Sequence, residues 1–339
     1  MRNIVSLRGF IIRRVLYIVP VMLGITLMNF TLINLTPGDP IIVRIGLIHC
    51  ETEECVNTAY NRQAKEMGLL DSDMYTVPWF KRYVDFISDL LRFDFGESWY
   101  NTQAGQGVPV AKILKTHAPY TVILNVISFV LSLILSTAIG VVSATRMRSI
   151  WDKSLTVAML LGYSMPLFWI AKLFMYVSFK LFNFTGVTNK DAFVKPLALN
   201  PNFYKYLILP TLALTLGGLV FMARLMRSQL LEILRQDYVT TAKAKGVSNR
   251  GVIYKHAFRN GLLPIVTIIG SSLPGLLGGS VMIESVFAWP GLGTRFLEAA
   301  LFRDYPMMLA INTIFPFLFL VARLLTDITY VFIDPRIKY

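Results

Sequence analysis

A pair of cysteines is the first candidate for reactive chemistry in this sequence. Cys50 and Cys55 are the only two cysteines, and His49 stands beside the first of them. An oxidising exterior would allow the two thiols to close a small disulfide loop, which is the interpretation we favour. Two unpaired thiols are the alternative. A metal site would need two further ligands at suitable spacing, so we predict none.

No catalytic constellation is visible elsewhere in the sequence. The other two histidines, His117 and His256, stand in scattered contexts, and no His-Glu-x-x-His, Gly-x-Ser-x-Gly or Cys-x-x-Cys pattern occurs. A phosphate-binding loop of the Walker type needs glycine followed by lysine, and that pair is absent from the chain. We therefore expect this chain to have no enzymatic activity, no ATP site and no cofactor of its own.

A long polar segment, residues 235–264, stands between two apolar stretches. Asp237 is suited to cap a helix, because its side chain can accept bonds from the free N–H groups that follow. Residues 238–245 continue that helix, and Gly246 is suited to end it in a left-handed conformation. Ser248 can cap a second helix. A partner protein that binds a short exposed helix between two membrane spans could move both spans through it.

Ionisable residues inside apolar stretches are candidates for function by default. Lys172 could attract an acidic group of a substrate, pair with a carboxylate of a neighbouring subunit, or snorkel to the outer headgroups. Arg323 and Asp327 are one helical turn apart, so we expect them to pair with each other. Glu284 lies at the predicted outer end of a span, and we expect it to contact water.

One apolar stretch is rich in glycine. Gly275 and Gly279 form a small-xxx-small pair beside Pro274, which lets another helix approach closely. Packing within this chain is one interpretation, and a gated pathway lined by sliding helices is the other. On the second interpretation, the candidate pathway residues are Gly275, Gly279, Lys172 and Glu284.

Apolar stretches long enough to cross a membrane must position these residues. The chain is 55% hydrophobic and only 16% charged, whereas soluble domains average roughly 25% charged residues. Runs of ~20 apolar residues span the hydrocarbon core as helices and are too long for barrel strands. The sequence therefore predicts an all-α integral membrane protein. The six predicted spans are residues 15–35, 121–142, 155–179, 207–225, 262–283 and 307–331.

Basic residues near the span ends set the predicted orientation. With the N-terminus inside, every short inside segment is basic, whereas the long outside segment contains many acids. The net charge of +13 is therefore mainly a topology signal and argues against nucleic acid as a partner. We predict a multi-pass protein of the plasma or inner cell membrane, with the N-terminal residues 1–14 and the C-terminal residues 334–339 in the cytoplasm.

The predicted domains follow this topology. After the first span comes an extracytoplasmic segment, residues 36–120, and then a five-helix core, residues 121–333, which includes the cytoplasmic loop 228–261. Within the outside segment, residues 79–93 have the apolar spacing of an amphipathic helix. We favour packing of this helix on the span ends. The alternatives are a position at the membrane surface and a role in receiving a partner or substrate.

Several motifs occur in order along nearly the whole chain. They are Pro37-Gly-Asp-Pro40, Asp94-Phe-Gly-Glu-Ser98, the polar segment from Asp237 to Gly246 with Leu262-Leu-Pro264, the run from Glu284 to Gly293, Arg303-Asp-Tyr-Pro306 and Asp334-Pro-Arg-Ile-Lys-Tyr339. Together they resemble the membrane-spanning permease subunit of a binding-protein-dependent ABC importer, in the dipeptide/oligopeptide branch. Importer loops generally begin Glu-Ala-Ala. Thr240, Thr241 and Ala242 stand here instead, as is usual in the peptide branch.

The resemblance implies the fold of a type I importer permease and a set of partners. A second homologous permease subunit would complete the pathway, and an extracytoplasmic binding protein would deliver the substrate. Two ATPase subunits, which bind ATP and Mg, would each grip one coupling helix. In this chain the implied coupling residues are Asp237, Tyr238, Val239, Thr241, Ala242, Gly246 and Arg250.

The substrate stays open at this stage. The resembling branch carries peptides, but some of its members carry oligosaccharides, nickel or other small solutes. A secondary transporter would usually show an inverted repeat or buried acids at mid-membrane, and we see neither in the sequence. A membrane scaffold would not need a kinked, glycine-rich span beside a coupling handle. We therefore expect half of a translocation pathway for peptides.

Overall fold

The computed structural model describes residues 7–39, 41–42, 52–71, 73–103, 106–188, 201–261, 272, 275–276 and 280–333. Within these ranges, four helices are long and apolar enough to cross a membrane, and one bent pair of helices would make a fifth span. They coincide with five of the predicted spans. The predicted span at 262–283 lies largely outside the described residues. The predicted all-α membrane architecture is confirmed, with one small hairpin added.

The described elements follow one another in chain order. They are α1 Leu7–Leu35, α2 Glu53–Glu66, α3 Trp79–Leu91, β1 Glu97–Gln103, β2 Gln106–Pro109, α4 Val110–Thr145, α5 Ile150–Ser164, α6 Leu167–Phe182, α7 Pro201–Ile233, α8 Asp237–Ala244, α9 Asn249–Gly251, a π-helix Val252–Ala257, α10 Phe258–Gly261, α11 Val281–Val286, α12 Leu292–Leu301 and α13 Tyr305–Ile333.

The chain forms two compact units. The first contains residues 1–119 and 294–339, and the second contains residues 120–293. The domain boundaries predicted from the sequence follow chain order, with a core at residues 121–333. Compactness instead groups the last long helix, α13, with the N-terminal part of the chain.

In the first unit, α1 and α13 pack side by side in antiparallel directions. The Asn29 side-chain amide donates to the Asn312 carbonyl at 3.1 Å near one end. Near the other end, Arg14 pairs with Asp327 at 2.9 Å. These two contacts fix the register of the helices at both ends of a long apolar interface.

The predicted amphipathic helix is confirmed as α3, and it packs on α1 as we favoured. Its Tyr83 and Phe86 rings lie 5.4 and 5.9 Å from the ring of Phe30 in α1. The Tyr83 hydroxyl is also 3.1 Å from the hydroxyl of Thr26. Phe80, in contrast, is 64% exposed. One face of α3 is therefore held on the end of a span, while another part of its apolar surface stays open.

The antiparallel hairpin of β1 and β2 was not predicted from the sequence. The Ser98 hydroxyl donates to the Asp304 carboxylate, which also accepts from the Tyr100 amide at 3.3 Å. The other carboxylate oxygen of Asp304 accepts from the Met307 amide at 3.3 Å and caps α13. Asp304 thus joins the hairpin to the start of the last long helix.

In the second unit, the predicted span at 155–179 is not a single straight helix. Two helices, α5 and α6, occupy this stretch and are bent by 106° relative to each other. Pro166 lacks an N–H group and disfavours a helical conformation in the residue before it. Met165 accordingly has extended backbone angles, φ −91° and ψ 134°. The proline therefore ends α5 and sets the start of α6.

The central helix of the second unit is α7. Half of its most apolar 18-residue stretch is buried, whereas 28% or less of the corresponding stretch is buried in each of the other three long helices. Small residues, Ala213 and Ala223, are fully buried along its length, and Met226 and Leu230 are fully buried near its C-terminal end. This end of α7 is the surface on which the following polar segment packs.

Candidate functional site

The polar segment folds as a short helix, α8, that begins directly after α7. The prediction that Asp237 caps this helix is wrong, since the cap position is Gln236, which makes no side-chain capping bond. Asp237 is instead the first helical residue. Its negative charge lies in the first turn, where it interacts favourably with the positive end of the helix dipole.

The C-terminal end of α8 has the geometry of a Schellman motif. The Gly246 amide donates to the Lys243 carbonyl at 3.0 Å, and the Val247 amide donates to the Ala242 carbonyl at 3.2 Å. Gly246 adopts a φ of +80°, as predicted from its type and position. The Ser248 hydroxyl then accepts from the Gly251 amide at 3.3 Å, which confirms the predicted cap of the next helix.

The inner face of α8 is buried in the second unit. Val239 is fully buried and Ala242 is 8% exposed. Both pack in one apolar cluster with Met226 and Leu230 of α7. The two residues therefore anchor α8 to the end of α7, and their side chains are not available to a partner. That corrects the expectation that they contact an ATPase subunit directly.

The outer face of α8 is exposed and polar. Among the predicted coupling residues, Asp237, Tyr238, Thr241 and Gly246 are exposed, and so is Arg250 in α9. The Thr241 hydroxyl donates back to the Asp237 carbonyl at 2.8 Å, so this hydroxyl is used within the helix. A partner would meet Tyr238 as the largest side chain of this surface.

The second half of the segment packs into the same cluster. Its π-helix places Val252 and Ala257 beside Val239, and both are almost completely buried. A π-helical turn inserts an extra residue and so changes which side chains face inward. Sequence periodicity did not predict this turn. Both halves of the polar segment thus pack against the C-terminal end of α7.

A buried ion pair lies close to this region and was missed by the sequence analysis. The Arg227 Nε and Nη2 atoms donate to the two carboxylate oxygens of Asp152, each at 2.9 Å. Ser143 also donates to Asp152. Asp152 is 5% exposed. The contacts connect α4, α5 and α7. The sequence contained one signal for this pair, because Asp152 is an isolated acid in an apolar and basic stretch.

Glu284 is fully buried, so the expectation that it contacts water is wrong. One carboxylate oxygen accepts from the Thr121 hydroxyl at 3.1 Å, and the other accepts from the Gly293 amide at 2.7 Å. The Thr121 oxygen in turn accepts from the Leu292 amide at 2.7 Å. A Cβ atom at Gly291 would overlap with the Glu284 carboxylate. The carboxylate therefore holds the turn that follows α11.

The same turn is secured by an aromatic anchor. The Trp289 indole N–H donates to the Tyr120 carbonyl at 3.1 Å, and the Trp289 amide donates to the Glu284 carbonyl at 2.7 Å. Trp289 is fully buried, and its ring lies 5.5 Å from that of Phe203. The sequence motif from Glu284 to Gly293 did not by itself predict this structural role of its tryptophan.

The other candidate pathway residues are placed only in part. Lys172 is exposed on α6. Its neighbour Ala171 is buried against Ile283 of α11, the helix that carries Glu284. The structure thus brings the two helices together but leaves Lys172 outside and Glu284 inside. Gly275 is exposed, and a Cβ atom added to it would meet no atom of the described residues within 4 Å.

Two predicted features fall wholly or partly outside the described residues. Gly279 is one of them. Cys55 lies in α2 and is disulfide-bonded, and Cys50 is the chain's only other cysteine. Because Cys50 is outside the described residues, the pairing itself stays a prediction. Among the described residues, no cluster of three or more His, Cys, Asp or Glu side chains could hold a metal ion.

The first unit contains a cavity of about 860 Å³ that the sequence analysis did not predict. Its wall combines acidic, basic and aromatic side chains, including Arg62, Arg82, Asp85, Trp99 and Tyr305. Burial lowers the pKa of Arg82 from its usual value. Charged groups of both signs beside aromatic rings could contact a small polar solute.

Comparison with known proteins addresses the family directly. A family model described as the binding-protein-dependent transport system inner membrane component matches residues 136–339. The oligopeptide transport system permease protein AppB of Bacillus subtilis is 35% identical over 98% of this chain and 99% of its own length. The dipeptide transport system permease protein DppB of Alkalihalophilus pseudofirmus is 30% identical over the same shares.

A further relative comes from a different bacterium. It is the probable peptide ABC transporter permease protein y4tP of Sinorhizobium fredii, which is 33% identical over 97% of this chain and 99% of its own length. The matches extend over nearly the full length of each protein, so they include the segments around α8 and Glu284. The chain belongs to the family of binding-protein-dependent transport system inner membrane components.

Proposed function

We propose that this chain is the permease subunit of an ATP-driven importer of peptides and that α8 receives motion from an ATPase subunit. The observation that carries the proposal is the two-sided character of α8. Val239 is fully buried against α7, whereas Tyr238 next to it is 39% exposed. A helix fixed on one side and open on the other can transmit a push from a partner into the bundle.

The peptide assignment is supported by the relatives. Their names refer to oligopeptide, dipeptide and peptide transport, and each matches this chain over at least 97% of its length. Oligosaccharides or other small solutes are the alternative cargo within the same architecture. The external binding protein would make the first selection of substrate. The permease therefore needs only to accept the substrate that is delivered to it.

The proposed assembly has four further components. A second homologous permease subunit would form the other half of the pathway, and an extracytoplasmic binding protein would supply the substrate. Two ATPase subunits would bind ATP and Mg, and this chain would take no part in hydrolysis. We place α8 and both termini in the cytoplasm, because the segments that lie inside on this topology are basic.

Transmission to the pathway would run through α7. ATP binding favours one arrangement of the ATPase pair, and the permease follows because the two states differ in their interaction with that pair. Near-complete conversion between the two states needs roughly 5 kcal/mol of differential affinity. The Arg227–Asp152 pair ties α7 to the start of α5, so a displacement of α8 would be shared by several helices.

The pathway residues follow from the same assembly. Gly275 and Gly279 would allow close helix approach, and Lys172 would either contact substrate or a neighbouring subunit. Glu284 would act through the turn it holds, because its carboxylate is buried among backbone donors. Its role is therefore to position a loop at the end of the pathway rather than to bind solute in water.

The test is ATPase activity of the complete complex in proteoliposomes. The binding protein would be loaded in turn from a panel of peptides and oligosaccharides, with unloaded binding protein as the control. We expect stimulation by the peptide-loaded form. Stimulation by oligosaccharide alone would reject the peptide assignment and keep the importer. Failure of the chain to copurify with any ATPase subunit would reject the importer itself.

A further inference from the structure

A groove between the two long helices of the first unit ends in a cluster of arginines. It encloses about 370 Å³ and runs between α1 and α13. Arg13 and Arg14 lie on the α1 side, and Arg323 lies on the α13 side. Among the lining residues that the structure describes, Asp327 is the single acid beside three arginines, which gives these residues a formal charge of +2. The groove therefore attracts anions at this end.

Two of the arginines pair with Asp327 and still remain exposed. Asp327 pairs with Arg14 at 2.9 Å and more loosely with Arg323 at 3.6 Å. The side chains of Arg14 and Arg323 are still 43% and 52% exposed. A guanidinium has five N–H donors, and the 3.6 Å contact of Arg323 with one carboxylate does not use all of them. Arg13 is exposed and has no ion pair within the part of the chain that the structure describes.

The remainder of the groove is apolar. Ile18 on α1 faces Leu320 and Leu324 on α13, and all three are half-buried. Tyr17 stands beside the arginines and is 60% exposed. A basic end that continues into aliphatic walls matches a molecule with an anionic head and a hydrocarbon tail. A soluble anion would use only the basic end.

We propose that this groove binds an anionic phospholipid, with the phosphate on the arginines and an acyl chain along the aliphatic walls. Basic pockets between transmembrane helices on the cytoplasmic side are suited to such headgroups. Arginine binds phosphate with paired, charge-assisted hydrogen bonds. Asp327 pairs with Arg14 and Arg323, and the described lining keeps a net positive charge for the lipid. This inference does not depend on which solute the protein transports.

Native mass spectrometry of the complete complex tests the proposal. The complex would be titrated with phosphatidylglycerol, and the double variant Arg13→Gln with Arg323→Gln would be compared with the wild type. We expect the variant to bind roughly 30-fold more weakly, since each basic residue contributes to attraction of an anionic lipid. The control is Arg146→Gln, an exposed arginine outside the groove, which should bind as the wild type does.

Two further comparisons separate the sources of binding. Phosphatidylcholine should bind much more weakly than phosphatidylglycerol, and equal binding would overturn the proposal by showing an apolar groove without charge recognition. Inorganic phosphate should not displace the lipid at equal concentration. Displacement would show a site for soluble phosphate instead and would also overturn the proposal.

A charge-preserving variant guards against a merely structural effect. Arg13→Lys with Arg323→Lys keeps both positive charges but loses the planar guanidinium groups. We expect it to assemble normally and to keep most of the lipid binding. If the lysine and glutamine variants both assemble and lose binding equally, charge is not what holds the lipid, and the proposal fails.

Discussion

Arg227 holds Asp152 through two parallel hydrogen bonds, each 2.9 Å long, across 75 residues of sequence. Asp152 is 5% exposed, whereas the Arg227 side chain is 32% exposed. The pair thus consists of a buried acid and a half-buried base. Because α8 is seated on the end of α7, the pair lies on the route by which movement of α8 would reach α5.

The first prediction concerns removal of one partner of this pair. Arg227→Met leaves Asp152 buried without its cation, and the expected loss is about 3 kcal/mol of stability. The double variant with Asp152→Leu should recover much of that loss, since it removes the uncompensated charge. Thermal unfolding of the purified complex measures both. Lys153→Gln, at an exposed neighbouring position, is the control and should change little.

The second prediction concerns the anchor of α8. Val239→Ala should weaken the packing of α8 on α7 by about 1–2 kcal/mol, because it deletes two buried methyl groups. Val239→Asp should release the helix, because an unpaired charge cannot stay in the apolar cluster. A reporter cysteine introduced as Ala242→Cys measures release by its reaction with a soluble maleimide. Fast labelling in both the Val239→Ala and unaltered backgrounds would contradict the buried placement of this face.

The third prediction concerns the turn held by Glu284. Gly291→Ala adds a Cβ atom that would overlap with the Glu284 carboxylate, so we expect several degrees of lost thermal stability. Gly162→Ala is the matched control, because a Cβ atom added there meets no atom of the described residues within 4 Å. Equal stability of the two variants in a thermal unfolding assay would show that the turn is not packed as described.

The fourth prediction concerns pH. The Tyr60 hydroxyl donates to Asp39 at 2.7 Å, and this hydrogen bond raises the pKa of Tyr60 above its usual value of 10.0. The bond should therefore contribute fully below about pH 10 and be lost as pH rises through the raised pKa. At pH 7, the free energy of unfolding of the wild type should be about 1 kcal/mol larger than that of Tyr60→Phe. That difference, measured by unfolding, should shrink at strongly alkaline pH, and a constant difference would reject the assignment.

The ends of α8 show what sequence reasoning can predict. Gly246 and Ser248 were placed correctly, because a left-handed turn and a helix cap are local requirements of the backbone. Asp237 was assigned to the cap one position too late, which is the usual uncertainty at a helix end. The inward face through Val239 was not predicted, because eight helical residues give too few repeats to define a face.

Long-range contacts set the features that the sequence did not predict. Glu284 is close to the end of an apolar stretch, where contact with water is the ordinary expectation. It is buried because Thr121, 163 residues away in sequence, and the Gly293 amide supply its donors. The break at Pro166 was predictable in kind, since proline ends helices, but its 106° bend depends on how α5 and α6 pack.

The most direct test of the central claim, that α8 couples this chain to an ATPase subunit, is ATPase stimulation in a Gly246→Trp complex. A Cβ atom added at Gly246 meets no atom of the described residues within 4 Å, so tryptophan should obstruct the outer face of α8 without overlapping the core, at the cost of backbone strain at φ +80°. Gly246→Asn is the control, because asparagine tolerates the left-handed conformation at φ +80°. We predict assembled Gly246→Trp complexes without stimulation by loaded binding protein and near-normal stimulation in Gly246→Asn. Normal stimulation in an assembled Gly246→Trp complex would contradict the account.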